Sequence, residues 1–231
     1  MMKQAIVICS GGLDRVVTAH YAKNKLNYRK MIILFFNYNQ RALKSERKFS
    51  LKCAKDTKSE FLEFSIPEIY NLSHSLINVK KEHSHIERRD LKDTKKESLK
   101  WYVPCRNLIF ISYALALAES RLIRDKISSD IFLGFKSEGS SGYPDATGEF
   151  TDMMSKIGTT ACNGKFKVIV PMIKKDKEDI VLLGNKLNVH FKDTFSCYTS
   201  DNIHCGSCLA CMLRKEGFYW SGLPDPTVYS K

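Results

Sequence analysis

The chain has 231 residues, of which 43% are hydrophobic and 27% are charged, and its formal net charge is +12 at pH 7. This length suits one well-cored domain with a small appendage, and no Pro/Gly/Ser-rich linker divides it. No apolar run reaches the roughly 18 residues of a membrane span, and the first run is too short for the core of a signal peptide. We therefore expect a soluble, cytoplasmic protein, whose charge suits nucleic acid and polyphosphate substrates alike.

The first predicted elements are a buried strand, a glycine turn and a helix. The apolar run 5–8 is followed by Ser10, Gly11 and Gly12, and a helical pattern begins near Val16. Adjacent glycines let the backbone approach a ligand closely, and the start of a helix offers unpaired N–H groups. This order of elements can cradle a phosphate, although a Gly-Gly pair after a strand also forms ordinary turns.

Further strands and helices alternate along the chain. The predicted strands are 30–36, 60–66, 130–135 and 167–172, and the predicted helices are 41–57, 106–120, 148–162 and 176–187. The alternation predicts an α/β fold with a Rossmann-like parallel sheet and helices on both faces. Ligands of such sheets bind beyond the carboxyl ends of the strands, where the polar loops SGGLDR, NYNQR and SEGSSGYPD would line one crevice.

The segment 79–100 holds many of the basic residues, but acids are interleaved with them and the apolar residues show no sustained period. Such a pattern is typical of a solvated, mobile connection or a lid rather than of a binding face. On this ground we do not expect a nucleic acid partner.

Four of the eight cysteines fall in one C-terminal segment with the spacing C-x7-C-x2-C-x2-C: Cys197, Cys205, Cys208 and Cys211. In a chain without a secretory signal, such a cluster indicates metal-binding thiolates rather than disulfides. Four thiolates suit a structural Zn²⁺ site with no open position, whereas an iron–sulfur cluster is the alternative because C-x2-C-x2-C also occurs in ferredoxins. His204 could substitute for one ligand. We predict a zinc module at 196–231, packed on the domain formed by 1–195.

Taken together, these motifs resemble the 7-cyano-7-deazaguanine synthases of the queuosine pathway. SGGLD is similar to the SGGxDS loop of the PP-loop ATP pyrophosphatases, and FNYNQR, the Arg106–Asn107 pair, SGYPD and the four-cysteine segment follow in the family's order. The resemblance runs from about residue 5 to residue 217. It implies the fold of the adenine nucleotide alpha hydrolases.

The resemblance also implies a reaction. A ligase of this family uses ATP and ammonia to convert 7-carboxy-7-deazaguanine into 7-cyano-7-deazaguanine, through carboxylate adenylation and an amide intermediate, and releases AMP and diphosphate. The implied cofactors are Mg²⁺, structural Zn²⁺ and ATP as co-substrate. Family members often dimerise, and a homodimer is left open here.

The resemblance assigns roles to individual positions. The residues implied to bind ATP and its pyrophosphate are Ser10, Gly11, Gly12, Leu13, Asp14 and Arg15. Those implied to bind the deazaguanine are Arg106, Asn107, Ser141, Tyr143 and Asp145. The residues implied to be catalytic are Asp14, which would hold Mg²⁺ because a hard cation prefers carboxylate and phosphate oxygens, together with Lys177 and Arg106.

The sequence also departs from the family pattern at several positions. Arg15 stands where the family has a second serine, so its side chain either binds phosphate in the tight turn or points to solvent. The other departures replace two glycines, an acid and a Cys-Arg pair: Asn39, Cys105, Gly139, Ala146 and Thr147.

These departures leave three hypotheses open. The chain forms the nitrile; or it activates the same carboxylate but stops at the amide or joins it to an amine, such as one on a protein; or it is a non-catalytic zinc protein that binds nucleic acid.

Overall fold

The computed structural model describes residues 3–79, 85–136 and 143–230, which form a five-stranded sheet in which all pairs are parallel. The strand order is β3-β2-β1-β4-β5. The strands are β1 (Lys3–Ile8), β2 (Lys30–Asn37), β3 (Glu60–Ser65), β4 (Ser128–Leu133) and β5 (Val168–Ile169). The predicted α/β fold class is confirmed, but β5 has two residues where the sequence predicted six.

Helices flank this sheet. They are α1 (Leu13–Asn24), α2 (Leu43–Asp56), α3 (Glu68–Asn71), α4 (Lys95–Lys100), α5 (Arg106–Asp125), α6 (Gly148–Thr160), α7 (Lys177–Lys186) and α8 (Leu209–Ser221). The helices α3, α4 and α8 were not expected from the sequence. Within the described residues, none of these helices has the length and apolar character needed to cross a bilayer.

The central strand β1 is buried on both sides, as its continuous apolar run predicts. Ile6 and Ile8 belong to the apolar layer that includes α5, whereas Ala5 and Val7 belong to the opposite layer, which includes α1 and α7. The two layers arise because successive side chains of a strand point to opposite faces of the sheet. Because all the strands are parallel, their carboxyl ends lie at the same edge of the sheet.

The described part of the basic segment is more ordered than expected. A 3₁₀ helix spans Arg88–Lys92, and α4 follows it. Ile86 is buried, and its N–H donates to the carbonyl of Ser207, 3.0 Å away. Most side chains of 85–100 are nevertheless exposed, as a solvated connection predicts, so the difference lies in the short helices and in this contact with the C-terminal region. That the segment is mobile or acts as a lid stays a prediction, and residues 80–84 lie outside the described part.

The C-terminal region is tied to the sheet domain by a buried arginine. Arg214 of α8 donates to the hydroxyl of Thr194 at 2.7 Å, to the carbonyl of Phe191 at 2.9 Å and to the hydroxyl of Thr227 at 2.7 Å. Such a guanidinium is stable inside the protein because its donors are satisfied. It joins α8 both to the segment that precedes the cysteines and to the C-terminal tail.

Candidate nucleotide and substrate site

The turn between β1 and α1 has the backbone geometry that the glycines predict. Gly11 has a φ of +74°, and a Cβ on it would lie 2.7 Å from Cβ of Phe49 and 2.8 Å from the backbone nitrogen of Ser50. Gly12 caps α1 in an extended conformation and has no side chain with which to occupy the first N–H groups of the helix. The turn therefore presents backbone donors and a helix N-terminus to an anion.

Arg15 reaches back over this turn. Its Nη1 donates to the hydroxyl of Ser10 at 3.2 Å, and its side chain lines the same pocket as that of Arg106. The alternative in which Arg15 points to solvent does not hold. The guanidinium instead adds a positive charge directly beside the turn.

Asp14 and Lys177 are brought together although 162 positions separate them along the chain. Lys177 Nζ lies 2.7 Å and 2.8 Å from the two carboxylate oxygens of Asp14. Lys177 begins α7, and its stem packs so tightly on Gly217 of α8 that a Cβ there would overlap it. The two residues expected at the phosphates thus form an ion pair, and a cation that binds Asp14 must compete with Lys177.

A pocket opens at the carboxyl ends of β1, β2 and β4. Its apolar wall contains Phe36 and Phe110, whose rings stack with centroids 4.0 Å apart. The other apolar lining residues include Ile8, Ile77, Trp101, Leu133 and Phe135. Flat, apolar walls of this kind suit a planar aromatic ligand, whose orientation is fixed by a few polar groups.

Arg106 supplies one of those polar groups. Its Nη1 donates to the hydroxyl of Tyr38 at 3.4 Å. Burial disfavours the charged form of Arg106, but the nearby Tyr38 and Asp145 outweigh this and raise the pKa of its guanidinium. Among the described residues, neither Arg106 nor Arg15 has a carboxylate within 4.0 Å, so both guanidinium groups remain available to an anionic ligand.

Three of the predicted base-binding residues hold the start of α5 and the loop before α6. The Asp145 carboxylate accepts the backbone N–H of Asn107 at 2.9 Å, and the Asn107 amide donates to the carbonyl of Asp145 at 3.0 Å. Tyr143 lines the pocket, donates to the carbonyl of Ser98 and stacks on Tyr102. Asp145 therefore positions Arg106 and Asn107, and it does not itself line the pocket.

Two further predicted positions, Ser141 and Gly139, lie outside the described residues. The structure gives no placement for the hydroxyl of Ser141 that was expected to face the base.

Sequence reasoning missed the pair Gln40 and Glu46, which lie after β2. Gln40 is buried; its Oε1 accepts the backbone N–H of Tyr38, and its Nε2 donates to the carbonyl of Phe36 at 3.0 Å and to Oε2 of Glu46 at 2.8 Å. Burial raises the pKa of Glu46, while Arg15 and Arg106 oppose that shift. Glu46 was overlooked because it lies in the charged stretch LKSERK, which is indistinguishable in sequence from a solvated helix face.

The four predicted metal ligands form one cluster. The sulfur atoms of Cys197, Cys205, Cys208 and Cys211 all lie within 4.8 Å of one another. Backbone N–H groups face the sulfurs as well: those of Ser200 and Cys205 lie 3.4 Å from the sulfur of Cys197. Four thiolates with such donors fit a closed metal site.

His204 is not one of these ligands. Its Nε2 accepts the backbone N–H of Ser196 at 3.0 Å, and its ring lies between those of Phe195 and Tyr229. Burial lowers the pKa of His204 to about 4, which keeps the ring neutral and in its accepting form. The histidine therefore packs beneath the cysteine module and does not complete it.

Comparison with known proteins shows one family over most of the chain. The family model "Queuosine biosynthesis protein QueC" matches residues 4–222. The chain belongs to the QueC family. It is 34% identical to the 7-cyano-7-deazaguanine synthase of Thermoplasma volcanium, over 100% of this chain and 92% of that protein. It is 36% identical to that of Campylobacter jejuni, over 99% of both chains, and 32% identical to that of Rickettsia felis, over 99% of this chain and 100% of that protein.

Two departures of this QueC family member fall on left-handed backbone. Asn39 and Cys105, which stand where the resemblance expects glycine, have φ angles of +59° and +52°. Asparagine tolerates this region better than most residues, whereas other side chains cost about 1–2 kcal/mol there. Both positions therefore have the backbone conformation that favours glycine, although neither residue is glycine.

Proposed function

We propose that this protein converts 7-carboxy-7-deazaguanine into 7-cyano-7-deazaguanine with ATP and ammonia. The observation that carries the proposal is a pocket beside a phosphate-binding turn, in which Arg15 and Arg106 have no carboxylate partner among the described residues. This arrangement suits a planar acid that meets a nucleotide. Membership of the QueC family and the names of the relatives support the same reaction.

The first step turns a poor electrophile into a good one. A carboxylate oxygen attacks the α-phosphorus of ATP, the bond to diphosphate breaks, and the acyl-adenylate forms. Ammonia then attacks the carbonyl carbon and AMP leaves, which gives the amide. The amide oxygen attacks a second ATP with loss of diphosphate, and departure of AMP with both amide protons leaves the nitrile. For the protein, this chemistry is mainly a matter of positioning and charge neutralisation.

The phosphate turn would hold the nucleotide. Ser10, Gly12 and Leu13 would offer backbone N–H groups and Ser10 its hydroxyl, whereas the N–H of Gly11 donates to the sulfur of Cys9 at 3.4 Å, so Gly11 would serve through its backbone conformation. The side chain of Leu13 is buried, so only its main chain can take part. Asp14 would hold Mg²⁺, whose chemistry is to neutralise phosphate charge. Lys177, released from Asp14, would then be free to donate to the phosphates.

The two arginines would hold the reacting groups. Arg15 lies next to Ser10 at the turn, where it can donate to the substrate carboxylate or to the α-phosphate. Arg106 lines the same pocket, and the Asn107–Asp145 hydrogen bonds hold the start of its helix. Hydrogen bonds from a charged donor contribute roughly 1.5–3 kcal/mol each, so two of them would dominate the binding of an anionic ring.

We further propose that the four cysteines bind a structural Zn²⁺ and that 196–231 is a module packed on the 1–195 domain. A closed set of four thiolates has no position for water or substrate. The proposal is tested on protein purified under anaerobic conditions, where elemental analysis should find zinc and the visible spectrum should lack iron–sulfur absorbance. Iron and inorganic sulfide in the cluster would overturn it.

The reaction is tested by incubating the metal-loaded protein with ATP, Mg²⁺, ammonium and 7-carboxy-7-deazaguanine, followed by mass spectrometry. We expect the nitrile and AMP, and neither from the Asp14→Asn variant. Accumulation of the amide alone would contradict the second half of the reaction. No AMP in the presence of the acid, together with salt-sensitive RNA binding, would favour the nucleic-acid hypothesis instead.

A further inference from the structure

The pocket contains a carboxylate that the proposed reaction has not used. Glu46 lies in the first turn of α2 and lines the pocket together with Arg15 and Arg106. Within the described part of the chain, its carboxylate accepts one hydrogen bond, from Gln40, and makes no ion pair within 4.0 Å. Glu46 is half-buried, and its carboxylate keeps acceptor positions that no described side chain fills, so its place in the pocket suits a ligand that donates to it.

Gln40 orients this carboxylate before any ligand binds. The amide of Gln40 is fixed from both sides, since its oxygen accepts from Tyr38 and its nitrogen donates to the carbonyl of Phe36. Its remaining N–H therefore faces Oε2 of Glu46 at 2.8 Å. A carboxylate has about four acceptor positions, so most of the accepting capacity of Glu46 is left for the pocket.

The pocket thus has donors and an acceptor that do not satisfy one another. Arg15 and Arg106 can bind an anionic group, and Glu46 can accept hydrogen bonds from N–H donors. A 2-amino-4-oxo pyrimidine ring fused to a ring bearing a carboxylate matches both demands. Its ring N–H and exocyclic amine lie on one edge, in the paired spacing that a carboxylate accepts, and its acid group lies on the opposite side of the molecule.

We propose that Glu46 is the residue that selects a 2-amino-4-oxo pyrimidine ring, by accepting hydrogen bonds from the ring N–H and the exocyclic amine. This inference rests on the proposed function, whose substrate carries that ring. The resemblance assigned Asp145 to the base, but its carboxylate accepts the backbone N–H of Asn107 and does not line the pocket. Among the residues that the structure describes, Glu46 is the acidic side chain that lines it.

The test compares two ligands that differ only in the exocyclic amine: 7-carboxy-7-deazaguanine and 7-carboxy-7-deazahypoxanthine. Binding of each is measured by calorimetry on wild type, on Glu46→Gln and on the matched control Glu63→Gln. Glu63 pairs with Arg47 outside the pocket. Calorimetry needs no turnover, so its result is separate from the success of the reaction itself. Thermal melting and ATP binding check that the variants are folded.

We expect wild type and Glu63→Gln to bind the deazaguanine acid about 100-fold more tightly than its analogue, since a site built to accept a hydrogen bond rejects a ligand that lacks the donor. In Glu46→Gln the ratio should fall to about 10-fold or less, with ATP binding unchanged, because an amide offers one acceptor where the carboxylate offers two. A Glu46→Gln variant that keeps the wild-type ratio would overturn the assignment. Wild type that discriminates between the acids but forms no AMP would refute the proposed reaction and leave the role of Glu46 standing.

Discussion

The phosphate turn and the base pocket lie side by side, but they are built in different ways. The turn is local: Ser10, Gly11 and Gly12 follow one strand and precede one helix, and its donors are mainly backbone groups. The pocket collects side chains from β1, β2, α2, α5 and the loops between them. A site formed by one short segment can be recognised from the sequence of that segment, whereas a site formed by several segments depends on contacts between residues far apart in the chain.

The sharpest way to break the turn is Gly11→Ala. The variant would force a Cβ at positive φ to within 3 Å of the backbone of α2, where no flexible side chain can move away. We expect acid-dependent AMP formation to fall at least about 1000-fold, with ATP binding lost as well. Ser59→Ala, distant from the turn, serves as the control. Near-normal ATP binding by Gly11→Ala would show that the nucleotide does not use this turn.

Loss of the four-cysteine cluster should have the next largest effect, because the segment that leads into the cluster contacts the turn. The N–H of Phe195 donates to the carbonyl of Gly11 at 2.8 Å, two residues before Cys197. We expect Cys208→Ser to lose the metal and to lower the melting temperature by about 5–10 °C. ATP binding should weaken in parallel. Cys162→Ser should keep both metal and stability, and a Cys208→Ser protein that does the same would defeat the structural role.

Arg15 joins the two regions, since it contacts the turn through Ser10 and also lines the pocket. We expect Arg15→Ser to lower the rate of acid-dependent diphosphate release by about 10- to 100-fold, the value of one lost charge-assisted hydrogen bond. Arg124→Ser, at the exposed end of α5, is the control. An unchanged or faster Arg15→Ser enzyme would mean that serine serves the turn equally well.

The smallest effect concerns the backbone that leads into the pocket. Replacing Cys105 by glycine removes a side chain from left-handed backbone, so we expect a gain of about 0.5–1 kcal/mol in the free energy of unfolding and a melting temperature about 2 °C higher. Asn39→Gly should change stability less, because asparagine already tolerates that conformation. Equal shifts in the two variants would argue against strain at Cys105.

The same contrast explains what could be predicted from the sequence. The parallel sheet follows from apolar runs, such as residues 30–36, that alternate with helical segments, and the turn from two glycines after a strand. Three features of the site could not be predicted: the orientation of Arg15, the hydrogen bonds between Asn107 and Asp145, and the position of the Glu46 carboxylate in the pocket. Each depends on which segments meet in space, and a charged residue has the same local pattern whether it faces solvent or a pocket.

The C-terminal region also contains features that the sequence predicts and features that it does not. The spacing of the four cysteines predicted that they form one cluster, because the spacing of metal ligands is a local sequence pattern. The helix α8 was missed since its start carries two of those ligands, which hide the helical pattern. Arg214, which ties α8 to the sheet domain, gives no signal at all in a basic sequence.

We infer that the turn and the pocket form one site in which ATP activates a bound acid. This inference is tested most directly by counting the AMP formed per molecule of 7-carboxy-7-deazaguanine consumed, with and without ammonium. We expect two AMP per nitrile when ammonium is present and a single adenylation, without nitrile, when it is absent. AMP formation that does not depend on the acid, or no AMP at all, would contradict it.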